Sequence, residues 1–333
     1  MLAPKGKLGL LDVVLAPDGR RVRGALTLDA AIAGTPAAPR ITGHGALTGG
    51  EFQDYTRGVR IADIAATLAA EGDRLRITEV TARAGPGRIS GQGALDLAPG
   101  LPVEMALRAE GARPIASDLI TATVSGDVRL SGTLTRQMTL SGALQVLEGE
   151  INLPERFPPQ VAVLNVRRKG EMPSSPPPPQ SRIDLDVEVQ SAGPLFVRGR
   201  GIEAEMGGDI RVTGTSALPL VNGAFRLVRG NYTLGGQRLD FSSGTVRFDG
   251  TGLRQRLDPT LDFEAQTVSG GITARLNVTG YASAPRIALS STPSLPQDEI
   301  VAQLLFQQSV RQLSPLQLAS IAHRGGRIRL DDL

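Results

Sequence analysis

Two histidines, His44 and His323, are the side chains best suited to catalysis at neutral pH, and they stand 279 residues apart. Nucleophilic catalysis of the Ser–His–acid type needs a histidine beside a nucleophile and an orienting carboxylate. His44 sits between Gly43 and Gly45 and His323 in a polar terminal stretch, and neither neighbourhood supplies those partners. The chain has no cysteine, so it has no disulfide framework or thiolate metal site, a composition compatible with the periplasm. Asp184, Asp186 and Glu188 could in principle hold calcium. Their period-two spacing instead places all three on the wet face of one strand, and no glycine-bearing calcium loop surrounds them. Gly207–Gly208 and Gly235–Gly236 lack the G-x-x-x-x-G-K pattern of a phosphate loop. The expectation is a non-enzymatic protein without metal or cofactor, working through an extended surface.

The elements that must build that surface are strands. Ile183, Leu185, Val187 and Val189 alternate with Asp184, Asp186 and Glu188, which gives a strand with one apolar and one solvated face. The same alternation sets Val128 and Leu130, Ile210 and Val212, Val246 and Phe248, Leu261 and Phe263, and Leu276 and Val278 on apolar faces. These fourteen residues are the candidate groove lining. One-sided alternation points to an antiparallel or meandering sheet rather than to the continuous apolar runs of a parallel α/β core.

A glycine repeat punctuates the strands. Gly34, Gly43 and Gly50 are followed by Gly132, Gly142 and Gly149, and then by Gly214, Gly223 and Gly230; an incomplete fourth copy begins at Gly280. In each copy the first gap is nine or ten residues and the second is seven. The pattern reads as strand–turn–strand–turn, with short strands between glycine turns, repeated into an array in which each unit packs on its neighbours. Met172–Gln180, with five prolines, reads as a solvated polyproline loop interrupting the array.

The chain is expected to end differently. Pro296 followed by Gln297, Asp298 and Glu299 opens a helix with an acidic first turn and an apolar stripe of Ile300, Val301, Leu304 and Leu305. Ser314-Pro-Leu-Gln317 is a capping box that starts a second helix containing Leu318, Ile321 and Ala322. The organisation is thus a β-array over 1–292, with the proline loop at 172–180, a helical cap over 293–324 and a flexible tail over 325–333.

Composition narrows the function. Trp is absent, with only 3 Tyr and 8 Phe among 333 residues, so the apolar surface is aliphatic and suits acyl chains better than bases. A net charge of +3 with both signs interspersed excludes the basic stripe of a nucleic-acid binder. Nearly all cations are arginine, a choice attributed here to genomic base composition. A sheet of some twenty strands, at about 4.8 Å each, would run ~90 Å and must curl to cover its apolar face. Curling leaves an aliphatic trough able to shield lipid tails at about 0.8 kcal/mol per buried CH₂.

Three stretches carry a family resemblance: Ser291–Phe306 followed by Leu313–Gln317, Gly149–Pro154, and Gly223–Phe241. Together they resemble the TamB C-terminal domain family. The resemblance implies a mainly β fold, an elongated curled antiparallel sheet with a hydrophobic groove, capped by short C-terminal helices. It also implies a periplasmic location, with the full-length protein anchored in the inner membrane, and a TamA/BamA-type outer-membrane barrel as partner. Phospholipid acyl chains and nascent outer-membrane proteins are the implied cargo, and phospholipid transport and autotransporter assembly the implied roles. Met1–Lys5 reads as neither signal peptide nor anchor, and the end at His323–Leu333 is shorter than the family's usual tail, so a fragment of a longer protein is expected. Two other readings stand beside this one: a chaperone or scaffold that receives barrel strands by β-augmentation, and a secreted β-solenoid enzyme or adhesin.

Overall fold

The computed structural model describes residues 5–7, 20–35, 38–55, 58–154, 182–216, 218–234, 236–250, 258–315 and 317. The proline tract 172–180, the remainder of the second helix, His323 and the tail 325–333 lie outside them. The described residues form one 17-stranded sheet. Its strands are β1 (Lys5–Lys7), β2 (Arg20–Thr35), β3 (Ala38–Asp54), β4 (Val59–Gly72), β5 (Arg74–Ala84), β6 (Gly87–Asp96), β7 (Pro102–Ala116), β8 (Ile120–Thr133) and β9 (Gln137–Asn152). They continue with β10 (Arg182–Ser191), β11 (Leu195–Gly199), β12 (Ile202–Gly214), β13 (Pro219–Leu234), β14 (Gln237–Asp249), β15 (Thr260–Ser269), β16 (Ile272–Tyr281) and β17 (Ala284–Thr292). A helix, α1 (Gln297–Phe306), follows the last strand.

Consecutive strands pair antiparallel from β1 to β9 and again from β12 to β17. One joint departs from the expected antiparallel order. Both β10 and β11 run parallel to β9, for example Leu185 beside Leu140 and Val197 beside Ile151. They act as a single lane broken at Gly193, where an added Cβ would lie 1.9 Å from the Leu147 carbonyl oxygen. A parallel joint requires a connection that returns to the opposite end of the strand; here that connection falls in residues 155–181.

The glycine repeat maps onto strands differently from the strand–turn–strand–turn expectation. Gly34, Gly132 and Gly214 do end strands before a hairpin, but the second and third glycines of each copy lie inside one long strand, β3, β9 or β13. Between them the ladder slips by one residue, passing over Thr48 and Gly49, Leu147 or Val228. This bulge explains the odd spacing: residues seven apart on a regular strand face opposite ways, and one extra residue returns both glycines to the same face. At Gly142 φ is +148°, a region closed to other residues.

The two faces of the sheet differ in character. Its outer face carries a lattice of arginine–carboxylate pairs. Arg108 donates to both carboxylate oxygens of Asp127 at 2.7 and 3.0 Å, Arg88 to Glu110 at 2.8 Å, Arg229 to Glu205 at 2.6 Å and Arg211 to Asp186 at 2.8 Å. The Arg108 hydrogen bond holds the Asp127 carboxyl below its ordinary range. Such pairs across neighbouring strands support register but add little stability at an exposed surface. The inner face holds the apolar residues. Beyond the β5–β6 hairpin β4 meets β7 directly, where Val59 pairs with Ile115 and the Ala116 amide donates to the Gly58 carbonyl at 3.0 Å. Ala84 and Ala112 are wholly buried there.

Candidate functional site

Residues paired across a ladder share a face, so register alone decides which side chains lie together on the inner face. Leu130 pairs with Leu140, which pairs with Leu185; Val128 pairs with Gly142, which pairs with Val187, which in turn pairs with Val212. Ile183 lies beside Met138, and Val189 beside both Leu144 and Ile210. Ile210 meets Gly223, which meets Phe248; Phe225 meets Val246, Val246 meets Leu261, Phe263 meets Val278, and Ala265 meets Leu276. The bulges preserve the alternation, so all fourteen candidate lining residues fall on one continuous face.

Burial divides that face. Among the described residues, Val128, Leu130, Ile183, Leu185, Val189, Ile210, Val212, Phe248 and Leu261 are half-buried, and Val187 is buried. Leu276 and Val278 belong to a filled core with Tyr232, Leu239, Ala265, Ile300 and Leu304, while Val246 and Phe263 pack around Leu195, Ala204 and Met206. Here the structure departs from a trough open along its whole length.

Aromatic side chains account for part of the filling, although composition pointed to an aliphatic lining. Phe225 and Phe248 meet edge to face at 6.4 Å and Phe241 and Phe263 at 5.5 Å, all on the inner face of β13–β15. The Phe263 ring lies over Gly244, where an added Cβ would come within 2.5 Å of it. Burial pushes the Tyr232 hydroxyl above its ordinary pKa.

Helix α1 closes this end. It begins at Gln297 with Asp298 and Glu299 in its first turn, as the sequence predicts, and buries Ile300, Val301, Ala302 and Leu304. Leu304 is fully buried and Ile300 is 1% exposed, so the expected stripe is the contact face, with Leu305 at its margin. The Ser269 hydroxyl donates to the Gln303 carbonyl at 3.1 Å, fixing the helix to the end of β15. The Glu299 carboxylate accepts from the Ser309 hydroxyl and from the Val310 amide, the latter at 3.1 Å, and these bonds hold its pKa below the usual carboxylate range. The Ser314 amide donates to Gln317 Oε1 at 2.8 Å and the Gln317 amide to Ser314 Oγ at 3.4 Å, a reciprocal capping box.

The other chemically capable residues are placed on the outer face. His44 is exposed on β3 opposite Asp29. Asp186 and Glu188 flank the Arg211 guanidinium at 2.7 and 3.7 Å, and Asp184 accepts a hydrogen bond from Gln137. Among the described residues no group of three or more His, Cys, Asp or Glu could hold a metal ion, and no helix is long and apolar enough to cross a membrane.

Comparison with known proteins gives two findings. The family model of the TamB C-terminal domain matches residues 78–327, three-quarters of the chain. The translocation and assembly module subunit TamB of Haemophilus influenzae is 29% identical over 133 residues. That stretch is 38% of this chain and 10% of the relative, so the match spans a small part of that relative's length.

Proposed function

This chain belongs to the TamB C-terminal domain family, and on that premise we propose that it is the C-terminal part of a TamB-like subunit of a translocation and assembly module. In this reading its inner face is a path for phospholipid acyl chains between the inner and outer membranes. The protein resides in the periplasm, with the full-length form anchored in the inner membrane and meeting a TamA/BamA-type barrel at the outer one. Work of this kind needs no catalytic group.

The carrying observation is the single apolar face that register maintains from β2 to β17, backed by a charged outer face. In β2–β10 this face presents half-buried aliphatic side chains. An acyl chain laid on it removes apolar surface from water on both partners, at about 0.8 kcal/mol per methylene. Native mass spectrometry of the purified chain, with lipid extraction, tests the proposal. Co-purified phospholipid is the expected result; a lipid-free chain that also fails to acquire phospholipid from vesicles would overturn it.

A second reading rests on a separate observation. Among the described ladder registers β17 pairs with β16 alone, and an edge left unpaired in this way can template another chain's strand. Assembly of outer-membrane proteins, autotransporters included, would then proceed by β-augmentation. Crosslinks from Ala284–Thr292 to a nascent barrel strand, in the absence of lipid on the inner face, would favour it.

A further inference from the structure

The inner face changes character at the β10–β11 junction. Among the described residues of β2–β10 the buried hydrophobic side chains are Ala70, Ala82, Ala84, Ala112, Met138 and Val187. Most of the larger lining residues of this half, among them Leu107, Leu130, Leu140, Leu144 and Leu185, retain exposure, Met138 and Val187 being the buried ones. From β11 onward the buried set still includes alanines such as Ala204, Ala265 and Ala274 but gains the large side chains Leu195, Met206, Tyr232, Leu239, Ile272 and Leu276, joined by Ile300 and Leu304 from α1. These large side chains touch one another in two core clusters and leave the β13–β15 face tiled with phenylalanine. The first half is an apolar face whose large side chains stay partly exposed; the second is a packed core of the kind found inside globular domains.

Taking the inner face as an acyl-chain path, as proposed above, we infer that the path ends at this junction. The apolar face of β2–β10, nine strands and about 40 Å across at the usual strand spacing, is the acyl-chain site. The β11–β17 half with α1 is its stop. A chain moving along the trough must turn out over a rim before β11. It cannot run on to the β17 edge, because that requires expelling Ile300 and Leu304 and parting the phenylalanine pairs. Glycine positions suit the open half to this task. Gly91 and Gly142 flank Leu107 and Val128 in one row of that face across β6–β9, so the row carries two side chains where a regular strand pairing would carry four.

The test uses the intact chain and vesicles of phosphatidylethanolamine and phosphatidylglycerol doped with a phosphatidylethanolamine that carries a diazirine in its acyl chain. After photolysis, labelled peptides are mapped by mass spectrometry. Peptides containing Leu107, Leu140 and Leu185 should exceed those containing Phe263, Leu276 and Ile300 by about tenfold or more, the factor that ~1.4 kcal/mol of repacking produces. In the Ile300→Ala/Leu304→Ala variant, whose retained sheet is checked by circular dichroism, label should spread to Leu276. Equal labelling of both halves in the unaltered chain would overturn the stop and leave the lipid reading standing. Labelling confined to β11–β17 would overturn the assigned direction. No label anywhere on the inner face would remove the lipid reading and this inference with it.

Discussion

Gly142→Ala tests whether the repeat glycines are required by backbone geometry. At Gly142 φ is +148°, and a Cβ there would lie 2.2 Å from the Asp127 carbonyl oxygen and 2.8 Å from the Val128 Cα. Both obstructing atoms are backbone, so no rotamer change relieves the clash. A non-glycine residue in a forbidden region costs about 1–3 kcal/mol, and displacing a packed ladder costs a further 1–3 kcal/mol or so. The expected loss is therefore about 2–6 kcal/mol. In an array whose units contact only their neighbours the damage stays local. Hydrogen exchange followed by mass spectrometry should show faster exchange in β7–β10 with β13–β17 unchanged. Gly72→Ala is the control: φ is +74° but nothing lies within 4 Å of the added Cβ, so only the left-handed backbone cost of about 1–2 kcal/mol applies. If Gly142→Ala is no worse than Gly72→Ala, the close approach of β8 and β9 is not what the glycine serves.

Leu304→Ala removes a fully buried side chain and should cost about 2–5 kcal/mol, read as lost protection of α1 and the β15–β16 hairpin; unchanged protection would mean the helix is not docked. Because Glu299 has a depressed folded-state pKa, its contribution is present above the unfolded carboxylate value and lost as pH falls through the lower folded one. Glu299→Gln should accordingly flatten the acid limb of α1 protection, and an identical acid limb in the variant would refute the role. Leu147 is 40% exposed at its bulge, so Leu147→Ser should change stability by no more than about 0.5 kcal/mol. Deleting Leu147 should turn Gly149 and Ile151 outward and abolish the β9–β11 pairing; a deletion variant with native exchange in β9–β12 would show that the bulge is dispensable.

Much of the apolar face was legible in residue order, for a specific reason. Alternation assigns each residue within a strand to one of two faces, and ladder pairing preserves that assignment from strand to strand. Fourteen residues chosen from isolated runs, from Val128 to Val278, therefore fall on one face without any knowledge of partners. The bulges also left a trace: the seven-residue gap from Gly142 to Gly149 is odd, which two glycines on one face cannot satisfy in a regular strand. The turn reading of those glycines overlooked this parity. The parallel joint left no comparable trace, because the alternation in Ile183–Val189 carries no direction. Nor could the filled end be read: Phe225, Phe241, Phe248 and Phe263 are spread over 39 residues and meet only through the ladder, Phe225 beside Val246 and Gly244 beside Phe263.

The arginines take on a different meaning once register is known. Composition alone attributed them to base usage, yet Arg88, Arg108, Arg211 and Arg229 each reach a carboxylate on the adjoining strand. Arginine can hold such a partner through two parallel donors, as Arg108 does with Asp127, whereas a lysine ammonium is a point charge. Exposed pairs of this kind contribute little stability, so their effect lies in register. A slipped strand would oppose like charges on the outer face while turning its aliphatic residues to water. That constraint matters most in β2–β10, where Met138 and Val187 are the only buried hydrophobic inner-face side chains larger than alanine among the described residues, against the many that lock register in β11–β17. The charged lattice can thus keep an apolar face in place without filling it, which is what a trough that receives acyl chains requires.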